Sequence, residues 1–504
     1  MKPLFNSVQL HKPKGNKFDL THEKKLSCNM GELIPAYIQE VIPGDKFRVN
    51  TEMLLRCAPM IAPMMHRVNV YMHYFFVPNR LVWSNWETYI TGGVDGLQVP
   101  TFPTLTLTNA LKAQFGLGTL ADYLGIPDHE GQTIIHAPVI NALPFRAYQL
   151  IWNEFYRDQT LQTAAAITKN DTVAAGTEFT DTLALRMRCW EKDYFTSAMN
   201  ATQRGSAVVL PSTPNYKPTT TVDFSGNVSA GQAITTGPGG TNDVAITGNG
   251  QTLKIKNLNG VDITVNDLRR ATRLQTWLEK NMLAGSRYAE NTLAHFGVRG
   301  SDARLQRPEF LGGGKSPVVI SEVVSTVKET SNPQGTMSGH GVSVGNQMGF
   351  TKRFEEHGFI IGILSTMPKT AYQQGIPRMF TKADRYDYFW PELAQIGEQA
   401  IKQKEIYYSW TGTDTQNNTF GYAPRYSEYK FNNSTVHGDF KSTLNFWHMG
   451  RIFGSEPGLN SSFVQSNPTG RIWAVNDSSD HLWIQLLNKV SAYRLMPVFG
   501  TPTL

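Results

Sequence analysis

Phe18-Asp-Leu-Thr-His-Glu-Lys-Lys-Leu-Ser-Cys-Asn-Met-Gly-Glu-Leu-Ile-Pro-Ala-Tyr-Ile-Gln-Glu-Val-Ile-Pro-Gly-Asp-Lys-Phe47 is the stretch on which the reading of the fold turns. Its opening is polar, its middle is an extended apolar run, and Pro43-Gly44-Asp45 supplies a turn into a second strand. Toward the N-terminus, residues 1 to about 27 carry Lys2, Lys12, Lys14, Lys17, Lys24 and Lys25 with little apolar pattern, the composition of an arm that orders only on contact with a partner. Downstream, Val68-Asn-Val-Tyr-Met-His-Tyr-Phe-Phe-Val77 places Val68, Val70, Met72, Tyr74 and Phe76 on one face at period two. Its other face begins polar and ends aromatic, which fits a strand covered progressively on both sides. Pro78-Asn79 ends it, and Leu81–Trp86 opens a short helical or looped excursion.

Helical periodicity appears later. In Leu143–Gln159, Tyr148, Ile151, Trp152 and Phe155 form one stripe, with Pro144 near the start. A second helix is expected over about 267–284, with Leu268, Ala271, Leu274, Leu278 and Met282 along one face and Arg269, Arg270 and Arg273 off it. A third is expected from Pro391-Glu392 to Lys402 and Lys404, with Leu393, Ile396 and Ala400 as its stripe. Strand signals return at Gly358–Leu364, Phe440–Phe446 and His481–Val490. Between 211 and 262 the texture changes to Thr, Gly, Asn, Ser and Pro, and large apolar residues almost vanish. That segment reads as a surface insertion, with short alternating pieces (Leu253, Ile255; Val261, Ile263) suited to small hairpins. Strands at both ends, separated by helices and loops, favour a single mainly β sandwich over residues 1–504. A βαβα order is missing, which argues against a doubly wound sheet.

Composition agrees. Of the 504 residues, 40% are hydrophobic and only 17% are charged, so there is ample core material and a charge-poor surface suited to burial between subunits. The 43 Gly and 27 Pro favour turns and long loops. The three cysteines, Cys28, Cys57 and Cys189, include no C-x-x-C pair and fit buried thiols in a reducing compartment. No apolar h-region opens the chain and no run reaches bilayer length, so synthesis and assembly in a cytoplasm, without membrane insertion, are expected.

Several blocks resemble the major capsid proteins of microviruses, the small icosahedral single-stranded DNA phages, and in particular their gokushovirus-like branch. They are Phe18–Phe47, Tyr74–Trp83, Leu143–Tyr148 with Tyr156–Gln159, Asp302–Gly314, Asp387–Gln399 and Gly438–Trp447, in order along most of the chain outside 211–262. The resemblance implies an eight-stranded antiparallel jelly roll with long loop and helical insertions. It also implies sixty copies in a T=1 shell around circular single-stranded DNA, a virion protein assembled in a bacterial cytoplasm. The implied partners are an internal scaffolding protein, a pilot protein and a small basic DNA-packaging peptide. Residues 211–262 occupy the place of the threefold protrusion thought to meet a host surface receptor, with Thr220, Thr236, Asn242 and Asn249 as receptor-contact candidates. A net charge of +6 per copy is too small for sixty copies to neutralise a genome of roughly thousands of phosphates, so basic peptides or polyamines must supply the rest.

No catalytic, metal or cofactor constellation emerges. Gly312-Gly-Gly-Lys-Ser316 has Glu309 where a phosphate loop needs Gly, and Pro317 opposes the helix that should follow; it reads as a turn between subunit-contacting segments. His22-Glu23 lacks the second histidine of a zinc-binding helix, and His66, His73, His136, His295 and His357 show no ligand spacing. Glu355, Glu356, Asp384 and Asp387 carry no separation that would mark a glycosidase pair. The nucleic-acid candidates are Lys12, Lys14, Lys17, Lys24 and Lys25 of the arm and Arg269, Arg270 and Arg273 of the second helix, all suited to non-specific phosphate contact. A solvated face is the plain alternative for both sets. A carbohydrate-binding or glycan-cleaving jelly roll is the competing function, since it accounts for the aromatics and polar loops; a sequence-independent single-strand binding protein is a third.

Overall fold

Phe47, Val49, Thr51, Met53, Leu55 and Cys57 are buried and alternate with Lys46, Arg48, Asn50, Glu52, Leu54 and Arg56, which reach solvent to differing degrees. Such a strand lays one face on a core and leaves the other toward water. The computed structural model describes residues 15–128, 131–136, 138–173, 177–209, 264–326, 334–410, 416–475, 477 and 479–499, with the backbone of four short strands between 222 and 255. The chain divides into two units, residues 1–202 with 285–504, and residues 203–284.

The larger unit is built on a β-sandwich. Its strands are β1 (Asn16–Asp19), β2 (His22–Cys28), β3 (Ile34–Val41), β4 (Lys46–Cys57), β5 (Val68–Pro78), β6 (Glu309–Pro317), β7 (Val319–Val324), β8 (Met337–Arg353), β9 (Gly358–Pro368) and β10 (Leu482–Arg494). One sheet runs β1-β10-β4-β8-β7, with β2 following β1 along the same edge of β10, and the other runs β6-β5-β9-β3. Every pairing within these sheets is antiparallel. Between them lies a core to which the first sheet gives Phe47, Met53, Leu55 and Ile484, and the second Val70, Tyr74, Phe76 and Ile360. Each such side chain contributes about 1.5–3 kcal/mol by leaving water.

The Pro43-Gly44 turn joins the two sheets. β3 belongs to the four-stranded sheet and β4 to the six-stranded one, so the turn is a corner of the sandwich. Gly44 holds φ +94°, open to glycine but costly for other residues. Asp45 fastens the corner: its carboxylate accepts from the Ile42 amide at 3.1 Å and lies 3.3 Å from Arg494 Nε, while its carbonyl accepts from Phe354 N–H at 2.8 Å.

A second core covers the far face of the four-stranded sheet. Helix α1 (Leu143–Ile151) continues as a π-turn over Trp152–Tyr156, and its Phe145, Tyr148, Ile151 and Trp152 pack with Trp83 on Phe75, Val77, Ile361 and Ile363. Arg146 is fully buried and donates to the carbonyls of Val82, Asn170 and Thr172 beside Glu178; Tyr148 Oη donates to the Leu33 carbonyl at 2.8 Å. These bonds account for the polar members of the Leu143–Tyr148 block.

Several expectations fail. Residues 16–28, read as part of a loose basic arm, form β1 and β2, because the open edge of β10 satisfies their backbone groups. The helix expected over 391–404 is a 3-10 turn (Pro391–Leu393) followed by a strand (Glu398–Lys402) paired with Thr419–Pro424. Gly397 at φ +118° breaks the helix, and the buried residues are Gln399 and Ile401 at period two. Phe440–Phe446 is spanned by two 3-10 turns, Gly438–Lys441 and Asn445–Trp447. Gly312–Ser316 lies within β6, where no turn occurs; Gly313 sits close enough to the Met72 carbonyl that a Cβ would collide with it.

The smaller unit contains helix α2 (Val265–Ala284), started by Thr264 and Asp267 in reciprocal hydrogen bonds. Val222–Ser225 pairs with Thr252–Ile255, and Ile234–Thr236 pairs with Val244–Ile246. Leu253 and Ile255 therefore join a distant strand, where a small local hairpin was expected; Val261 and Ile263 lie outside the described residues. The expected core stripe of α2 is largely open to solvent at Leu268 and Leu274, and its buried residues are Asn281 and Met282.

Candidate assembly surface and nucleic-acid interface

The nucleic-acid candidates separate into three groups. Lys12 and Lys14 lie outside the described residues. Lys17 and Lys25 are exposed on the outer face of the six-stranded sheet. Lys24 turns the other way: its ammonium donates to the carbonyls of Pro35 (3.0 Å) and Tyr123 (2.5 Å). Burial pulls its pKa down to about 8, with Asp122 opposing the shift. It pins β2 to its neighbours, and its ammonium is committed to two backbone carbonyls. Arg269, Arg270 and Arg273 are exposed on α2, within the smaller unit. Of the receptor candidates, Thr236 ends a short strand, while Thr220, Asn242 and Asn249 lie outside the described residues.

A larger feature was not singled out in the sequence. The segment 379–396 exposes Met379, Phe380, Tyr386, Tyr388, Phe389, Trp390 and Ile396, with Phe380 73% and Tyr388 55% accessible. Scattered apolar residues on a surface need no explanation, whereas seven exposed within eighteen residues of sequence make the segment a candidate contact surface. Its backbone is held firmly. Asp387 accepts from the amides of Ala383 and Asp384 at 3.0 Å each, and Trp390 Nε1 donates to the Arg385 carbonyl at 2.9 Å. Phe389 packs edge-on against Tyr426, and Lys382 sits 4.0 Å from the centre of the Tyr429 ring while pairing with Glu428. A segment whose turns are already fixed by hydrogen bonds has less conformational entropy to lose if a partner covers it. Asp384 and Asp387 cap these turns, and Glu356 pairs with Arg80, so these carboxylates have structural partners.

The cavity lined by His66, Asp193, Lys369, His437 and His448, about 590 Å³, offers little free acid–base chemistry. His66 Nε2 is bonded to the Lys369 carbonyl and His448 Nε2 to that of Phe440, and burial holds both imidazoles below their ordinary pKa. The Asp193 carboxylate accepts from Phe195 and Thr196 amides and from the Thr370 and Tyr372 hydroxyls. A second cavity of about 400 Å³ is bordered by Trp190, Arg451 and Arg471; neither cavity is lined by the aromatics of 379–396. Among the described residues, no group of three or more His, Cys, Asp or Glu is placed to hold a metal ion, and no helix is long and apolar enough to cross a membrane.

A family model described as "Capsid protein (F protein)" matches residues 6–504. The chain is 33% identical to capsid protein VP1 of Chlamydia phage 1, over 100% of this chain and 98% of that protein. It is 35% identical to capsid protein VP1 of Bdellovibrio phage phiMH2K, covering 90% and 88% of the two. With capsid protein VP1 of Spiroplasma virus 4 the identity is 30%, covering 97% and 95%.

Proposed function

Because this chain belongs to the phage capsid protein (F protein) family, and its relatives are gokushovirus capsid proteins, we propose that sixty copies close into a T=1 icosahedral shell around a circular single-stranded DNA genome. It is a structural protein of the virion and its relatives are structural proteins, not enzymes. The observation that carries the reading is the extent of the family match, residues 6–504.

The sandwich supports the finer reading of a jelly roll. Counting β2–β6 and β8–β10 as the eight strands, the six-stranded sheet has the order first-eighth-third-sixth and the other second-seventh-fourth-fifth, with β1 and β7 as additions. This is a chain folded as a long hairpin and rolled into two sheets. Shell formation then proceeds by covering charge-poor apolar surface, for which the platform around Phe389 and Trp390 is the strongest candidate. An internal scaffolding protein, a pilot protein and a small basic DNA-packaging peptide complete the assembly. Residues 211–262 form the outward insertion that meets a host surface receptor.

Negative-stain microscopy of the protein coexpressed with its scaffold tests the proposal. Closed shells from the natural chain, and folded but unassembled subunits from Phe389→Ser/Trp390→Ser, are the expected pair of results. Soluble monomers alone from the natural chain under assembly conditions overturn it. Deleting residues 215–258 is expected to leave shells intact and abolish attachment to host cells; loss of the shells instead refutes the insertion's assigned role.

A further inference from the structure

We propose that the phosphate backbone of single-stranded nucleic acid lies on the outer face of the six-stranded sheet, across a row of cations formed by Lys17, Lys46 and Arg353. The proposal rests on the capsid reading and adds to it which face of the sandwich turns toward the genome. Strand register makes the row. Lys17 is opposite Tyr493, Tyr493 is opposite Lys46, and Lys46 is opposite Arg353. All four are exposed and directly paired residues share a face, so they stand side by side at the strand spacing of about 4.8 Å. Arg48, exposed two residues along β4, extends the row by one cation.

No hydrogen bond among the described residues takes up these cations, although the Asp19 carboxylate acts on Lys17 through space. Among the described residues, Lys17, Lys46, Arg48 and Arg353 form no ion pair, whereas Lys489 on the same face is bonded to Glu52. The other carboxylates of this face are committed too: Glu23 accepts from Gln485, and Asp19 accepts from the Thr21 amide. Lys46 and Arg353, like charges directly opposite one another, repel, a cost that a bound polyanion removes. Tyr493 stands 44% exposed between two of the cations, where a base can stack on its ring.

A nucleic-acid strand fits this surface better than an acidic protein segment. The cations are spaced along a sheet face and line neither of the two cavities described above, which suits a polymer of evenly repeated charge read without sequence preference. The three cations come from positions 17, 46 and 353, which only the register brings together; Lys17 belongs to the lysine-rich N-terminal run, and Lys46 and Arg353 add to it from elsewhere in the sequence.

The test uses the full-length chain with a fluorescent dT30 oligonucleotide, binding followed by anisotropy over a salt series. Lys46→Glu/Arg353→Glu is expected to weaken binding at least tenfold. It is also expected to flatten the slope of log affinity against log salt by about 1.4, two contacts at about 0.7 each. Lys46→Gln/Arg353→Gln, which adds no new charge, is expected to give the same slope change and decides the matter if the reversal impairs folding. Lys441→Glu, an exposed lysine elsewhere, should leave both quantities unchanged. Unaltered affinity and slope in both double variants overturn the proposal, as does a fluorescent poly-glutamate losing affinity in them while dT30 does not. In particles, the double variants should form shells of normal shape that hold less DNA. Failure of the natural chain to form shells refutes the capsid reading and is distinguishable from shells that fill normally despite the substitutions.

Discussion

The two sheets of the sandwich share one core and differ in what lies against their other faces. In β9 of the four-stranded sheet all eleven residues, Gly358–Pro368, are buried. In β10 of the six-stranded sheet buried residues alternate with partly or fully exposed ones along Leu482–Arg494. Helix α1 and its surroundings cover the first sheet, while the second leaves Arg48, Lys489 and Tyr493 open. A sheet covered by its own chain is finished as a structure. One whose outer face is exposed among the described residues, and carries cations, is available to a partner.

The largest effect expected from this difference lies in the covering layer. Trp152 is 5% exposed, stacks beneath Arg186 and donates to the Met187 carbonyl. Trp152→Ala is expected to cost about 3–5 kcal/mol in denaturant unfolding of the subunit. A loss below about 1 kcal/mol would mean the layer is not part of the cooperative fold.

A smaller effect is expected where the chain passes between the sheets, at Glu32 between β2 and β3. Burial pushes its carboxyl up to about 7, against the opposing Asn29 amide bond, with Asp480 adding to the rise. Because the folded pKa exceeds the ordinary 4.5, the fold keeps a proton that the unfolded chain releases, and stability falls as pH rises through that window. Glu32→Gln removes this slope. It should match the natural chain near pH 4 and exceed it at pH 8 by roughly 1–3 kcal/mol, read from denaturation at both pH values. Parallel stability curves for the two proteins would contradict the assignment.

The smallest effect belongs to the open face. Lys489→Ala breaks an exposed pair with Glu52 and is expected to cost about 0.2–1 kcal/mol. A loss near that of Trp152→Ala would show that the face is structurally committed after all.

How much of this was legible in the sequence follows from how local each signal is. β5, β9 and β10 carried their own evidence in period-two or continuous apolar runs, and α1 in a four-residue stripe. β2 did not, since Cys28 is its one fully buried side chain and its partners lie in β10 at the other end of the sequence. The segment 391–404 offered apolar residues at helical spacing, yet Ile396 is exposed and Ile401 is buried in a strand. For the nucleic-acid surface, Lys17 and Lys25 were found because they sit in a lysine-rich run. Lys46 and Arg353 were not, because their meeting is a property of register alone. Lys24 points to the opposite face from Lys25, which composition does not reveal.

The placement of β10 has a consequence for how the protein is made. It is threaded between β2 and β4, and Thr51 and Asn488, hydrogen-bonded at 2.7 Å in the buried interior, are 437 positions apart. A growing polypeptide therefore emerges from the ribosome with a gap in the middle of one sheet that nothing nearby in the sequence fills. The gap closes only once residue 494 has left the exit tunnel, so truncated products cannot acquire the finished sandwich.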